Sequence, residues 1–176
     1  YDGVVVPSVS EIIREMGQSK DWSQIPEYYK MRGEAVHLAI SLYLKGTLDE
    51  SSVDEVVRPY LEQFKAWDKK QEMYIPTTEQ PYYSPRLHYA GTIDLIANGV
   101  IWDIKCSKKL DKASEWQYNL QGGAYRTLTL DSLGFSYPFK ILLLSGEGEA
   151  QEIPLEAPVK AWENLIELYN IKTGRK

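Results

Sequence analysis

The chain has 176 residues, of which 43% are hydrophobic and 26% charged, with a net charge of −5. That is the composition of an ordinary soluble domain with room for a substantial core. It excludes a chain that coats nucleic acid by bulk electrostatics, and no apolar run is long enough to span a bilayer or reads as a secretory signal. The one cysteine, Cys106, excludes an internal disulfide, a four-thiolate iron–sulfur cluster and a multi-cysteine zinc site, and points to a reducing, intracellular setting.

In chain order, Ser8-Val9-Ser10-Glu11 has the form of a capping box and predicts a short helix ahead of Ile12 and Ile13. Asp21 to Pro26 reads as a loop. Tyr28 to Lys45 is expected to be helical and to stop at Gly46. Met31, Ala35, Val36, Leu38, Ile40, Leu42 and Leu44 surround most of this helix, which predicts that it is buried. His37 then lies inside the protein, with Glu34 one turn away and Gly33 leaving room for a close approach. Such a histidine is either a satisfied core residue or a metal ligand and proton carrier, and the helix alone leaves both readings open. Val53, Val56, Val57, Tyr60, Leu61, Phe64 and Trp67 have helical spacing, with Pro59 as a kink or a new start. Met73 to Pro76 is expected to be a strand.

Leu87 to Cys106 reads as a hairpin, because Asn98-Gly99 between two β-rich runs is the sequence of a two-residue turn. Such a turn sets Ala97 opposite Val100, Ile96 opposite Ile101, Leu95 opposite Trp102, Asp94 opposite Asp103 and Thr92 opposite Lys105. Like charges directly opposed destabilise a strand pair by about 0.2–1 kcal/mol. A divalent cation between Asp94 and Asp103 removes that penalty, since hard cations take carboxylate oxygens. The alternative is a surface hairpin with an incidental charge cluster. Period-2 alternation puts Lys105 on the face of Asp103, together with Ile96 and Ile101. Ile93, Leu95, Ala97, Val100, Trp102 and Ile104 form the other, apolar face, which must pack against helices. Cys106 turns toward that apolar side as a buried, inert thiol.

Lys105, Lys108, Lys109 and Lys112 follow as a basic run. Ala113 to Leu130 is expected to be a helix, with Gln117, Gln121 and Tyr125 along one face. Gly122 and Gly123 cost that helix about 1 kcal/mol each relative to alanine, which suggests close approach of a strand or of a phosphate backbone. Lys140 to Ser145 reads as a buried strand, with Gln151 to Leu155 beside it. Pro158 opens a last amphipathic helix carrying Val159, Trp162, Leu165, Ile166 and Tyr169. There is no repeat or linker, so residues 1–176 are expected to form a single domain.

The motifs Gly91-Thr92-Ile93-Asp94, Asp103-Ile104-Lys105 and Gln121-Gly122-Gly123-Ala124-Tyr125, in this order, resemble those of the PD-(D/E)XK nuclease superfamily, in particular its RecB-like exonuclease branch. Arg32-Gly33-Glu34-Ala35-Val36-His37 and the opening Pro7-Ser8-Val9-Ser10-Glu11-Ile12 look like that branch's upstream elements, so the resemblance spans Pro7 to Tyr125. It implies an α/β fold with a restriction-endonuclease-like core, a central mixed β-sheet flanked by helices in the order α-α-α-β-β-β-α-β-β-α. It implies a Mg²⁺- or Mn²⁺-dependent deoxyribonuclease, an exonuclease on linear DNA with ends, acting in recombination, repair or replication. By the same resemblance Asp94, Asp103, the Ile104 carbonyl and His37 hold the metal. Lys105 polarises the attacking water or the scissile phosphate, and Gln121 and Tyr125 position the strand or the lysine. Arg32, Lys108, Lys109 and Gln117 are expected to contact DNA.

The second acid is Asp rather than the more widespread Glu, and the cysteines of cluster-bearing relatives are absent. The implied enzyme is therefore a stand-alone, bacterial or phage-type cytoplasmic nuclease without an iron–sulfur cluster, with a recombination protein as an expected partner. The other readings are a structure-selective or sequence-specific endonuclease, a non-catalytic DNA-binding module, and a carboxylate–metal hydrolase with a different substrate.

Overall fold

A computed structural model describes residues 5–19, 26–71, 76–110 and 112–175. The capping box forms as expected. Ser8 accepts from the Glu11 amide, Glu11 accepts from the Ser8 amide, and helix α1 (Val9–Glu15) begins there. Helix α2 (Glu27–Leu44) ends in a Schellman arrangement, with the Gly46 amide donating to Tyr43, the Thr47 amide donating to Leu42, and Gly46 at φ 68°. Helix α3 (Arg58–Gln71) starts afresh, and Pro59 sits in its first turn, where a missing N–H costs nothing. Strands β1 (Thr77–Ser84), β2 (Tyr89–Ala97) and β3 (Val100–Cys106) follow. Helix α4 (Glu115–Leu133), strands β4 (Phe139–Leu144) and β5 (Gln151–Pro154) and helix α5 (Val159–Thr173) complete the chain. The element order is the expected one. Most of the loop expected at Asp21–Pro26 and of the strand expected at Met73–Pro76 lies outside the described residues. The described strand that precedes the hairpin is β1, a little further on.

The five strands form one mixed sheet in the order β1-β2-β3-β4-β5. Only β3 and β4 are parallel, joined by α4 as the crossover that a parallel pair requires. Alternation along β4 shows how both faces are covered. Phe139, Ile141 and Leu143 pack with α1, α4 and α5, whereas Leu142 and Leu144 pack with α2 and α3. Trp162, Tyr89 and Tyr169 fill the first core, and Phe64, Leu61 and Trp67 the second.

The expectation for α2 is corrected. Met31 and Leu38 are 62% and 61% exposed, and only Val36, Ala39, Ile40 and Ser41 are buried. The helix turns a single narrow stripe, Val36, Ala39 and Ile40, to the core it shares with α3, so its outer apolar residues face solvent.

The glycine pair in α4 is explained by packing. A Cβ on Gly122 would stand 2.5 Å from the Phe139 ring and 2.7 Å from Ala157, and one on Gly123 would stand 2.7 Å from the Pro158 carbonyl. Strand β4 and the entry to α5 therefore make the close approach. Gly122→Ala is expected to destabilise the fold by about 1–3 kcal/mol despite its better helix propensity, read as a lower midpoint in urea.

Candidate active site

The turn at Asn98-Gly99 has positive φ at both positions, 52° and 72°, as the two-residue hairpin needs. It sets the expected register for three pairs, Ala97↔Val100, Ile96↔Ile101 and Leu95↔Trp102. There the ladder stops. Asp94 is not paired with Asp103, nor Thr92 with Lys105, which corrects the expectation. Beyond Leu95, β2 stays with β1 while β3 turns to β4. Asp94 fills the gap between them, its Oδ2 accepting the Ile104 amide at 2.8 Å in place of a strand carbonyl. The pleat also slips at this point. Ile93 packs with the α4-side core and Leu95 with the α2-side core, so Ile93 does not share the apolar face with Leu95.

A partner for Asp94 comes from β1, and the sequence alone gave no role to it. The β1–β2 register runs Thr78↔Leu95 and Gln80↔Ile93, and Glu79 stands opposite Asp94 without pairing. Glu79 has φ 50°, a left-handed conformation that costs a non-glycine residue roughly 1–3 kcal/mol. The Glu79 carboxylate reaches to 3.6 Å from His37 Nδ1, and Asp94 Oδ2 lies 3.7 Å from the same nitrogen. His37, Glu79 and Asp94 each offer a ligand atom within 4.8 Å of the others. One signal for Glu79 was available: Thr77-Thr78 begins a β-prone run directly before the hairpin. Gln80 and Pro81 disguise it, and proline is tolerated there because β1 is an edge strand.

His37 is not a core residue; its side chain keeps 25% of its exposure. Its Nε2 lies 2.9 Å from the Ile104 carbonyl. A carbonyl only accepts, so Nε2 carries the proton of that bond. Burial opposes a charge on His37, but Asp94 and Glu79 outweigh it and push its pKa up to about 9. Burial raises Asp94 to about 6, against the lowering pull of His37. Among the described residues, nothing lies within 4 Å of where a Cβ on Gly33 would stand, so none of their backbone packs on it. It lines a cavity of about 470 Å³ with Glu34, His37, Leu38, Ser41, Lys45 and Glu79.

Asp103 is fully buried, with 1% of its side chain exposed, on the α4 side of β3. Lys105 Nζ lies 2.7 Å from its Oδ2, and Gln121 donates to its Oδ1 at 2.9 Å and to the Tyr125 hydroxyl at 3.0 Å. Burial disfavours the charge on Lys105, but Asp103 and Asp94 hold its pKa above the usual lysine range. Burial, with Asp94 and Asp103 adding to it, raises Tyr125 above the usual phenol range. Tyr118 lies under the Lys105 ammonium, 5.4 Å from ring centre to Nζ. Asp94, Asp103, Lys105, His37, Ile104, Gln121 and Tyr125 thus meet where β2 and β3 part.

The expected DNA contacts lie at or just beyond the end of β3, or one turn from Gln121. Arg32 sits between Tyr29 and Tyr60, 5.0 and 4.9 Å from their ring centres, and donates to the Cys106 carbonyl at 3.4 Å. Lys108 is exposed and pairs with Glu147 at 3.1 Å. Lys109 is exposed, and Gln117 is half-buried one turn before Gln121. The Cys106 thiol is half-buried, and burial pushes its pKa up to about 11.

The donor set suits a divalent cation. Carboxylate oxygens and one imidazole match Mg²⁺ or Mn²⁺. The buried Asp103 Oδ2 touches Lys105 without an aligned hydrogen bond, which leaves a lone pair over. No helix among the described residues is long and apolar enough to cross a membrane.

No protein-family model and no curated protein matches the chain. Among solved structures it is similar to a presumed exonuclease from Eubacterium rectale, with 14% identity and a TM-score of 0.57, over 94% of this chain and 74% of that one. An alkaline exonuclease from Laribacter hongkongensis also matches, at 11% identity and a TM-score of 0.47, over 94% of this chain and 86% of that one. The likeness to the first of these establishes the fold. It is the expected restriction-endonuclease-like core, a mixed five-stranded sheet flanked by helices.

Proposed function

We propose that this chain is a metal-dependent DNA exonuclease that hydrolyses phosphodiester bonds at the edge where β2 and β3 separate. The observation that carries this is the meeting of Asp94, Asp103, Lys105 and His37 at one opening of a nuclease-type fold. Hydrolysis adds water to phosphorus, breaks one P–O ester bond and returns a proton to the departing oxygen. Asp94 and His37, with Asp103 and the Ile104 carbonyl as the further expected ligands, would hold a Mg²⁺ or Mn²⁺ ion, which would supply Lewis acidity toward phosphate oxygen and lower the pKa of a water.

The chain's own residues do the remainder. Lys105 stays charged because Asp103 lies against it, and its ammonium stabilises the negative charge that builds on the phosphate. Gln121, tied to Tyr125, fixes the Asp103 carboxylate, so the lysine is aimed by a buried and hydrogen-bonded support. Arg32, Lys108, Lys109 and Gln117 serve as contacts for the DNA backbone.

The action on ends follows the resemblance, together with the description of the Eubacterium rectale protein as a presumed exonuclease. The proposal extends to a setting in recombination, repair or replication in a bacterial or phage-infected cytoplasm, with a recombination protein as partner. The test is a time course with end-labelled linear and closed-circular DNA in Mg²⁺. Progressive shortening of the linear DNA with the circles spared is expected. Nicked circles would transfer the site to an endonuclease on the same fold, and no cleavage of either DNA would remove the proposal.

A further inference from the structure

We propose that Tyr29 and Arg32 hold an unpaired stretch of the DNA strand beside the cleavage site, Tyr29 by stacking on a base and Arg32 by meeting a neighbouring phosphate. The substrate strand is then single-stranded where it enters the site. This rests on the nuclease reading and deepens it.

The support is built from the core outward. Tyr60, in the first turn of α3, is half-buried against the second core. A Cβ on Gly146 would stand 3.1 Å from its ring, so the turn after β4 packs closely on that ring. The Arg32 guanidinium lies over Tyr60 at 4.9 Å, over Tyr29 at 5.0 Å and over Tyr28 at 5.9 Å. Tyr28 and Tyr29 meet edge to face with 5.6 Å between ring centres, and they are 52% and 51% exposed. The cation thus joins a ring fixed in the core to rings that still offer surface to solvent.

The polar edge of Arg32 is underused. Among the described residues its guanidinium makes one hydrogen bond, the 3.4 Å donation to the Cys106 carbonyl; its buried Nε makes none, and no carboxylate pairs with it. Lys65, Lys70 and Lys108, by contrast, each hold a glutamate. A guanidinium withdrawn from water without an acid is poorly satisfied, and phosphate is the anion whose oxygens match its fork of donors.

The position is right for a strand lying in the site. Cys106 follows Lys105 on β3, and His37 follows Arg32 on α2 by five residues, about 7.5 Å of helix. That is roughly two nucleotide steps of 3.4 Å along one strand. A strand with a phosphate at the opening between β2 and β3 therefore carries a nearby nucleotide past Arg32 and Tyr29. A paired base is covered by its stacked neighbours, so a tyrosine ring reaches a base face only where the strand is unpaired.

The test is the binding of a labelled single-stranded oligonucleotide to the full chain in EDTA, followed by fluorescence anisotropy. Tyr29→Ala is expected to weaken binding at least about tenfold, the scale of one base–aromatic stack, and Tyr29→Phe to keep it within about twofold. In a series of oligonucleotides with one abasic site each, the wild-type chain should lose as much at one position, and there Tyr29→Ala should cost nothing further. That scan of the wild-type chain needs no variant to fold. Arg32→Gln should reduce the slope of log affinity against log salt by about 0.7, the share of one single-strand phosphate, while Tyr29→Ala leaves the slope unchanged. Wild-type affinity in a folded Tyr29→Ala chain overturns the proposal. So does an abasic series without a sensitive position, an unchanged slope in Arg32→Gln, or a wild-type chain that binds duplex and not single strands. A chain that gives any of these results yet cuts DNA in Mg²⁺ loses only this assignment. One that binds as expected and cuts no DNA loses the nuclease reading instead.

Discussion

Lys105→Ala is expected to slow DNA cleavage by about 100- to 1,000-fold, the usual loss when a group stabilising developing charge is removed. It should also lower stability by about 3 kcal/mol, because breaking a buried ion pair leaves its partner charged and uncompensated. The partner here is Asp103, of which 1% remains exposed, with Gln121 and little else to satisfy it. The ammonium itself keeps 27% exposure, which sets the loss toward the lower end of the range for such pairs. For a chain of this length the corresponding fall in melting temperature is roughly 6–12 °C. Lys105→Met combined with Asp103→Asn should regain most of the stability and none of the activity. Single-turnover cleavage and thermal melting of both variants separate the two effects. Full activity in Lys105→Ala would remove the lysine from the chemistry, and unchanged melting would show that Asp103 has other support.

Asp94→Asn is expected to cost more activity and less stability. Asp94 belongs to the donor group with His37 and Glu79, and a divalent ion held there would contribute several kcal/mol to the transition state, so a loss of at least about 1,000-fold is expected. The amide oxygen of asparagine still accepts the Ile104 N–H that the carboxylate now takes at 2.8 Å. The substitution removes a buried charge that lies near Glu79 and feels Asp103, against the loss of its attraction to His37. Stability should therefore stay within about 1 kcal/mol of wild type. Cleavage at saturating DNA and Mg²⁺, set beside a urea midpoint, checks both. An active Asp94→Asn chain would mean that the carboxylate does not serve the reaction.

Short-range chemistry carried most of what could be read from the sequence. Asn98-Gly99 fixed a register that holds for three pairs, Ser8 and Glu11 marked the first helix, and Gly46 marked the end of the second. The acid-x-lysine strand and the Gln-xxx-Tyr helix meet as expected, through Gln121 and Asp103. What the sequence hid is tertiary. The register argument treats β2 and β3 as an isolated pair, but β3 has a second neighbour and leaves β2 at the residue that matters. Asp94 and Asp103 are therefore near each other without being opposed. Periodicity could not show that α2 lies over an open cavity, so its apolar outer residues suggested burial. Glu79 was missed for a third reason. Its place beside His37 depends on a single left-handed residue inside an edge strand, and neither propensity nor alternation encodes that.

In the proposed nuclease, one opening in the sheet holds a divalent cation beside Lys105. Diffraction from crystals soaked in Mn²⁺, with the anomalous signal recorded at the manganese edge, tests it most directly. A peak about 2.2 Å from Asp94, with Lys105 alongside, is the predicted result. An Asp94 carboxylate with no peak near it, in crystals that bind manganese elsewhere or not at all, would contradict it.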